Sequence, residues 1–170
     1  SFSPSVASSL SLSSGSWDEG GLVYTATYNV SDADVTVSDI DVSISDARDL
    51  AGNVQDTNNE VDAFSIDTEN PTPTITLSKD ALHATDSAHK TSTVTITFDE
   101  AVEDLLVIGD FTVENGSLTN LVATDAQAGY ATTFTATLTA DGLTTPDASN
   151  TISLAAGVVA DSVGNMNVAS

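Results

Sequence analysis

Apolar residues recur at every second position in short runs along this chain. Leu22, Tyr24, Ala26, Tyr28 and Val30 alternate with polar neighbours, as do Val94, Ile96 and Phe98 among threonines, and Phe134, Ala136 and Leu138 further on. A period of two places successive side chains on opposite faces of an extended strand, so residues 22–30, 93–98 and 133–139 are predicted strands with one buried face. Weaker runs predict strands at 61–66, 74–77, 111–113, 118–122 and 151–160, with one or two more in 2–14 through Val6, Leu10 and Leu12. In 35–44 the parity changes: Val35 and Val37 lie on one phase, Ile40, Val42 and Ile44 on the other. A bulge at 38–39 restores a common inward face. Turns are expected at 15–21, 31–34, 46–53, 99–104 and 161–165, and a polar connection at 79–90. Residues 101–108 have room for a helical turn or two. Short strands punctuated by turn signals predict an all-β sandwich.

The pattern repeats. Tyr24-Thr25-Ala26-Thr27-Tyr28 matches Phe134-Thr135-Ala136-Thr137-Leu138, and Asp49-Leu50-Ala51-Gly52-Asn53 matches Asp161-Ser162-Val163-Gly164-Asn165. Phe2 and Leu10 stand where Phe111 and Leu118 stand in the second copy. These anchors share an offset of about 110 residues, an ordinary domain size. The expected organisation is two tandem sandwiches: a partial one at 1–68, lacking its first strands, and one at 69–170, lacking its last. The chain thus reads as a piece of a longer array. Between the two lies Asp67-Thr68-Glu69-Asn70-Pro71, too polar for core; Pro71 fixes its own φ and biases Asn70 towards extended backbone, so the joint is stiff.

Charge sharpens the reading. Of 170 residues, 25 are Asp or Glu and only 3 are Lys or Arg, a formal net charge of −22. Little is left to neutralise phosphates, which argues against nucleic-acid partners and anionic membrane surfaces. It suits divalent-cation binding or a solvated surface in salty water. With no cysteine, neither a disulfide framework nor a thiolate metal site can form. No apolar run is long enough to insert in a bilayer, and the Ser-rich 1–16 lacks the basic start of a signal peptide.

Phe98-Asp99-Glu100-Ala101-Val102, Asp110-Phe111-Thr112-Val113-Glu114-Asn115-Gly116 and the Asp-x-Ala-Gly-Asn loop resemble the bacterial immunoglobulin-like (Ig-like) tandem extender repeats of large calcium-dependent RTX-type surface adhesins. Ile66-Asp67-Thr68-Glu69-Asn70-Pro71 resembles the Asp-Thr-x-x-Pro linker between such repeats. The resemblance implies seven-stranded Ig-like sandwiches in tandem, an extracellular location at the cell surface, neighbouring repeats of the same chain as partners, and calcium at the junctions. In an up-and-down Ig-like strand order loops alternate between the two poles, so the 99–104 and 161–165 loops are expected at the entry pole of the second domain and Asp32-Ala33-Asp34 at the exit pole of the first. Asp67 and Glu69 lie between. Like charges about 4 Å apart cost on the order of 4 kcal/mol at an effective dielectric near 20, which a bound cation removes. Calcium takes roughly 6–8 oxygens in loose geometry, fitting carboxylates mixed with amide oxygens. The expected ligands are Asp67, Glu100 and Asp161 first, then Asp34, Glu69 and Asn165, with Asp32 and Glu103 in reach. The equivalent 46–53 loop, with Asp46 and Asp49, is expected to hold a weak site or none.

Other chemistry finds less support. His83 and His89 share a polar connection with Asp80, Asp86 and Lys90, a setting more typical of exposed loop histidines than of ligands. No Ser-His-Asp order, phosphate loop or aromatic sugar platform is present, Trp17 being the sole tryptophan, so an enzyme is not expected. The leading function is a structural extender stiffened by calcium; the alternative is a carbohydrate- or protein-binding Ig-like module of a secreted protein. Open sheet edges also invite strand exchange with another copy.

Overall fold

Alternating β-branched and aromatic residues make strands almost everywhere the pattern places them. The computed structural model describes residues 1–3, 5–83, 85–142 and 150–170. The strands run β1 (Phe2–Ser3), β2 (Leu10–Trp17), β3 (Tyr24–Val30), β4 (Thr36–Ile44), β5 (Asn58–Asp67), β6 (Pro73–Leu77), β7 (Thr91–Glu103), β8 (Phe111–Val113), β9 (Gly116–Ala123), β10 (Tyr130–Ala140) and β11 (Ile152–Leu154), with one short 3-10 helix at Ile108–Asp110. They fall into two compact units, Ser1–Glu69 and Asn70–Ser170.

The second unit is a two-layer Ig-like β-sandwich. One sheet has the order β6-β7-β10-β9, the other pairs β11 with β8. Val94, Ile96, Phe98 and Val102 from β7 meet Phe134, Ala136 and Leu138 from β10 in a closed core, and Phe111, Val113, Ile152 and Leu154 pack on it from the opposite sheet. Phe98 and Phe134 meet edge to face with centroids 6.1 Å apart, a favoured aromatic geometry. Burying Phe134 to 1% exposure contributes on the order of 2–3 kcal/mol by transfer alone.

The first unit is thinner. Its three-stranded sheet has the order β1-β4-β5, and β2 and β3 form a separate pair. Among the described residues its buried cluster is Val6, Ile40 and Ile66, flanked by Leu10, Val37 and Phe64. The parity change in β4 is a bulge: Val37 pairs with Ile66 but Ile40 with Phe64, so three steps oppose two, and Asp39 takes φ 54°.

Four local expectations are corrected. Residues 15–17 are strand, not turn: Gly15 pairs with Ala26, and a Cβ there would meet the Tyr24 hydroxyl at 2.0 Å, so this glycine makes room for a ring. Residues 99–103 extend β7 instead of turning, because buried Val102 continues the inward row and a register shift opposite residues 131–133 of β10 absorbs the intervening acids. The strand expected at 151–160 shrinks to β11, since the chain turns through Gly157 at φ 71° and regains only an Ala160–Met166 bridge. Helical geometry appears at residues 108–110, capped by the Asp110 carboxylate on the Val107 amide, and not within 101–107.

Candidate functional site

The acidic residues singled out from the sequence sit on three local frameworks. The first is the Asp161 loop of the second unit. Asp161 is buried, at 4% exposure. Its Oδ1 accepts the amides of Val163, Gly164 and Asn165 at 2.8, 2.7 and 2.9 Å, and its Oδ2 accepts the Asn165 side-chain amide at 2.8 Å. Gly164 makes the tight turn possible with φ 102°, a conformation that penalises any Cβ. Burial pushes the Asp161 carboxyl up, but the Asn165 side chain and the three backbone donors outweigh it and leave the group below the ordinary carboxylate range. Asp161 is therefore a carboxylate held ionised and fixed in direction.

The second framework is the end of β7. Val94, Ile96, Phe98 and Val102 are the buried row of this strand, and Glu100 shares their parity. It is half-buried, and one of its carboxylate oxygens lies within 4.8 Å of one from Asp161. Two anionic oxygens are thus aimed at one place by separate strand and loop scaffolds. Asn165 stands beside them through its bond to Asp161. Glu103 is brought to the same loop by its backbone, whose amide donates to Ala160 O at 2.8 Å. Asp99 was not foreseen: it turns outward and accepts the Thr72 amide at 2.8 Å, pinning the segment after Pro71.

The third framework closes the first unit. The Thr36 hydroxyl lies 2.9 Å from Asp67 Oδ1 and 3.1 Å from Glu69 Oε2, so one donor holds two carboxylates together. The Glu69 amide also donates to Asp67 Oδ1, at 3.2 Å. Buried Thr68 accepts the Ala33 and Val35 amides and returns its own N–H to Val35 O. Asp32 and Asp34 are tied to that same end, with the Asp34 amide on Asp32 Oδ1 at 3.1 Å and Asp34 at φ 52°. The joint expected to be too polar for core thus contains a buried residue, Thr68 at 8% exposure, because its hydroxyl finds partners on Ala33 and Val35.

Asp49 reproduces the Asp161 loop in the first unit. Its Oδ1 accepts Ala51 and Asn53 amides at 2.9 and 2.8 Å, and its Oδ2 the Asn53 side chain at 2.7 Å. The Asn53 side chain and backbone bonds hold its carboxyl below the ordinary range. Among the described residues no cluster of three acidic or histidine ligands includes Asp46 or Asp49. In the 79–90 connection, His89 Nδ1 meets Asp86 at 2.7 Å, the leading reason that Asp86 lies below the usual range, and His83 Nδ1 takes the Asp86 amide. Each Nδ1 is thereby engaged locally.

Every candidate ligand atom on the three acidic frameworks is an oxygen, from carboxylates, a side-chain amide or hydroxyls, which suits a hard cation more than a soft one. A buried polar staple also escaped the sequence reading. The Asn167 side chain, on a residue 2% exposed, accepts the Val158 and Val159 amides and donates to Ala155 O and Val168 O, so all four of these side-chain hydrogen bonds stay within the second unit.

No curated protein and no solved structure matches the chain. The family model of the bacterial Ig-like domain does, over residues 67–170, more than half of the chain and the whole of the better-formed sandwich. Sandwich layers, closed core and family match agree: the chain belongs to the bacterial Ig-like domain family.

Proposed function

We propose that this chain is an extender segment of a large RTX-type bacterial adhesin, outside the cell at its surface, whose joint is stiffened by calcium. Bacterial Ig-like domains commonly occur in surface proteins and generally serve as non-enzymatic structural modules. No helix among the described residues is long and apolar enough to cross a membrane. The observation that carries the reading is the approach of Glu100 and Asp161 to within 4.8 Å in a molecule of net charge −22. Two carboxylates so placed repel unless a cation lies between them. Asp67 stands three residues before the start of the second unit and completes the proposed ligand set, with Asn165 and Glu69 supplying further oxygens and Asp34, Asp32 and Glu103 next in order.

Calcium would then convert a chain of sandwiches joined by short links into a rod, with neighbouring repeats as its partners. Small-angle scattering with and without chelator tests this. A maximum dimension that shortens and broadens in EDTA is expected; an envelope indifferent to calcium, with no heat of binding by titration calorimetry, rejects it.

A further inference from the structure

The outer face of the four-stranded sheet in the second unit carries no charge. Residues directly opposite each other in an antiparallel pair share a face, so the register lays this one out row by row. Thr76, Thr95, Thr135 and Val122 stand side by side in one row, and Thr93, Thr137 and Thr119 in the next. The row before them is Thr74, Thr97 and Thr133; the row after is Thr91, Thr139 and Ser117. Val94, Ile96, Phe134 and Ala136 alternate with these positions and are buried, so the rows point away from the core. Threonine favours strands, but that does not by itself empty a face of charge: β4 and β5 of the first unit carry Asp39, Asp41, Glu60 and Asp62. Charge resumes at the ends of the face. Asp99 follows Thr97 at one end, where Asp125 also accepts the Thr133 amide at 3.0 Å. At the other end lie Asp141 and the 79–90 connection, whose Lys79 and Lys90 offset Asp80 and Asp86. The β2–β3 pair of the first unit repeats the pattern, with Thr25 opposite Ser16, Thr27 opposite Ser14 and Asn29 opposite Ser11.

We propose that this threonine face is a self-association surface, on which a second copy of the chain docks through the same face. A net charge of −22 holds two copies apart, and an uncharged sheet face is where they approach with least repulsion. A charged partner finds nothing there to pair with, and no aromatic ring stands in the four rows to stack on a sugar. Two sheets pack face to face about 10 Å apart with their strands nearly aligned, and identical faces meet across a two-fold axis. Turning the second copy end over end lays the Asp99–Asp125 end of each over the Lys79–Lys90 end of the other. The opposite sense would stack acids on acids. Size sets the strength. Four strands about 4.8 Å apart and four rows about 6.8 Å apart cover roughly 19 by 27 Å, on the order of 500 Å² per copy and 1,000 Å² per pair. That reaches the roughly 1,000 Å² at which a specific interface begins and falls short of the roughly 1,600 Å² of a stable one. Each face therefore gives a weak, reversible contact, and a chain that repeats the face multiplies it.

The test is sedimentation equilibrium of the whole chain in EDTA, at about 0.1 M and about 1 M salt, where charges are screened beyond about 10 Å and about 3 Å. A monomer–dimer equilibrium is expected, reversible on dilution and tighter in the higher salt. Thr95→Glu, near the centre of the face, should weaken it on the order of tenfold or more, because like charges then meet across the interface. Thr95→Lys should do the same, and mixing the two variants should restore association. Restoration in the mixture separates a docking surface from a loss of folding. A chain that stays monomeric in the higher salt overturns the proposal. So does a dimer that ignores both substitutions, or one that survives dilution as exchanged strands would. Threonine methyl resonances of this face that shift with a soluble neutral glucan, and not with protein concentration, overturn it as well.

Discussion

Replacing Glu100 with Gln separates a clamped carboxylate pair from a merely acidic surface, because the sign of its effect depends on calcium. At 4.8 Å, two unit charges repel by about 3.5 kcal/mol at an effective dielectric of 20 and by about 0.9 kcal/mol in water. Asp161 is buried and Glu100 half-buried, so the relief on neutralising Glu100 falls between these limits, on the order of 1–3 kcal/mol. For a unit of this size that is a rise in melting temperature of about 5–15 °C in EDTA. With calcium at a hundred times its dissociation constant the wild-type chain gains about 2.7 kcal/mol by mass action. Glu100→Gln, short of one anionic ligand, gains little, and the order of the two proteins closes or inverts. Differential scanning calorimetry of both proteins in both buffers reads all four values. Calcium raising both proteins equally, or Glu100→Gln melting lower than wild type in EDTA, refutes the reasoning.

Phe134→Ala should cost the second unit about 3–5 kcal/mol through lost burial and a residual cavity, measured by denaturant unfolding, while the transition of the first unit holds its midpoint. Asn167→Ala removes a side chain with four internal partners and strands buried amides; a loss of about 2–4 kcal/mol is expected, and Asn167→Asp should fail to restore it because it cannot donate to Ala155 O and Val168 O. Gly164→Ala, at φ 102°, should lower stability by about 1 kcal/mol or more, against no change for Gly109→Ala, where a Cβ meets nothing within 4 Å. Asp161, Asp49 and Asp125 all lie below the ordinary carboxylate range when folded. Their contribution is therefore present in full above the unfolded value near 4 and is lost as pH falls through the folded values; melting curves between pH 2 and 7 should be flat at the upper end and collapse at the lower.

The strands were legible because this fold writes them in a period of two. Val94, Ile96, Phe98, Phe134, Ala136 and Leu138 are inward in the sequence pattern and buried in the structure, and the parity slip before Ile40 announced its bulge. What failed was the reading of the acidic run at 99–103 as a turn. Residues 99–103 look like a loop by composition, yet Val102 keeps the row and Glu100 shares its parity. Parity, more than polarity, was the usable signal there. Among the site residues, the Asp161–Asn165 pair was visible as a repeated loop motif. The supporting atoms were not: the Thr36 hydroxyl bridging Asp67 and Glu69, and the Thr68 knot on Val35, depend on register between strands some thirty residues apart. Nothing local in sequence encodes that register.

The Asp49 loop repeats the Asp161 loop around its asparagine, down to a glycine at φ 87°. Among the described residues, Asp161 has an acid of a neighbouring strand beside it and Asp49 belongs to no such group. That acid is Glu100 of β7, the strand whose Val94 and Ile96 also close the core beside β10. The asparagine-braced loop alone and the loop with a second carboxylate can therefore be compared within one chain. Asp49→Asn should leave the calcium affinity of the chain unchanged, whereas Asp161→Asn should lower it on the order of tenfold, because ligand charge count sets calcium affinity. Titration calorimetry of the two variants reads the difference. Equal losses from both would show that the second carboxylate adds nothing to the loop and would reject the clamped pair.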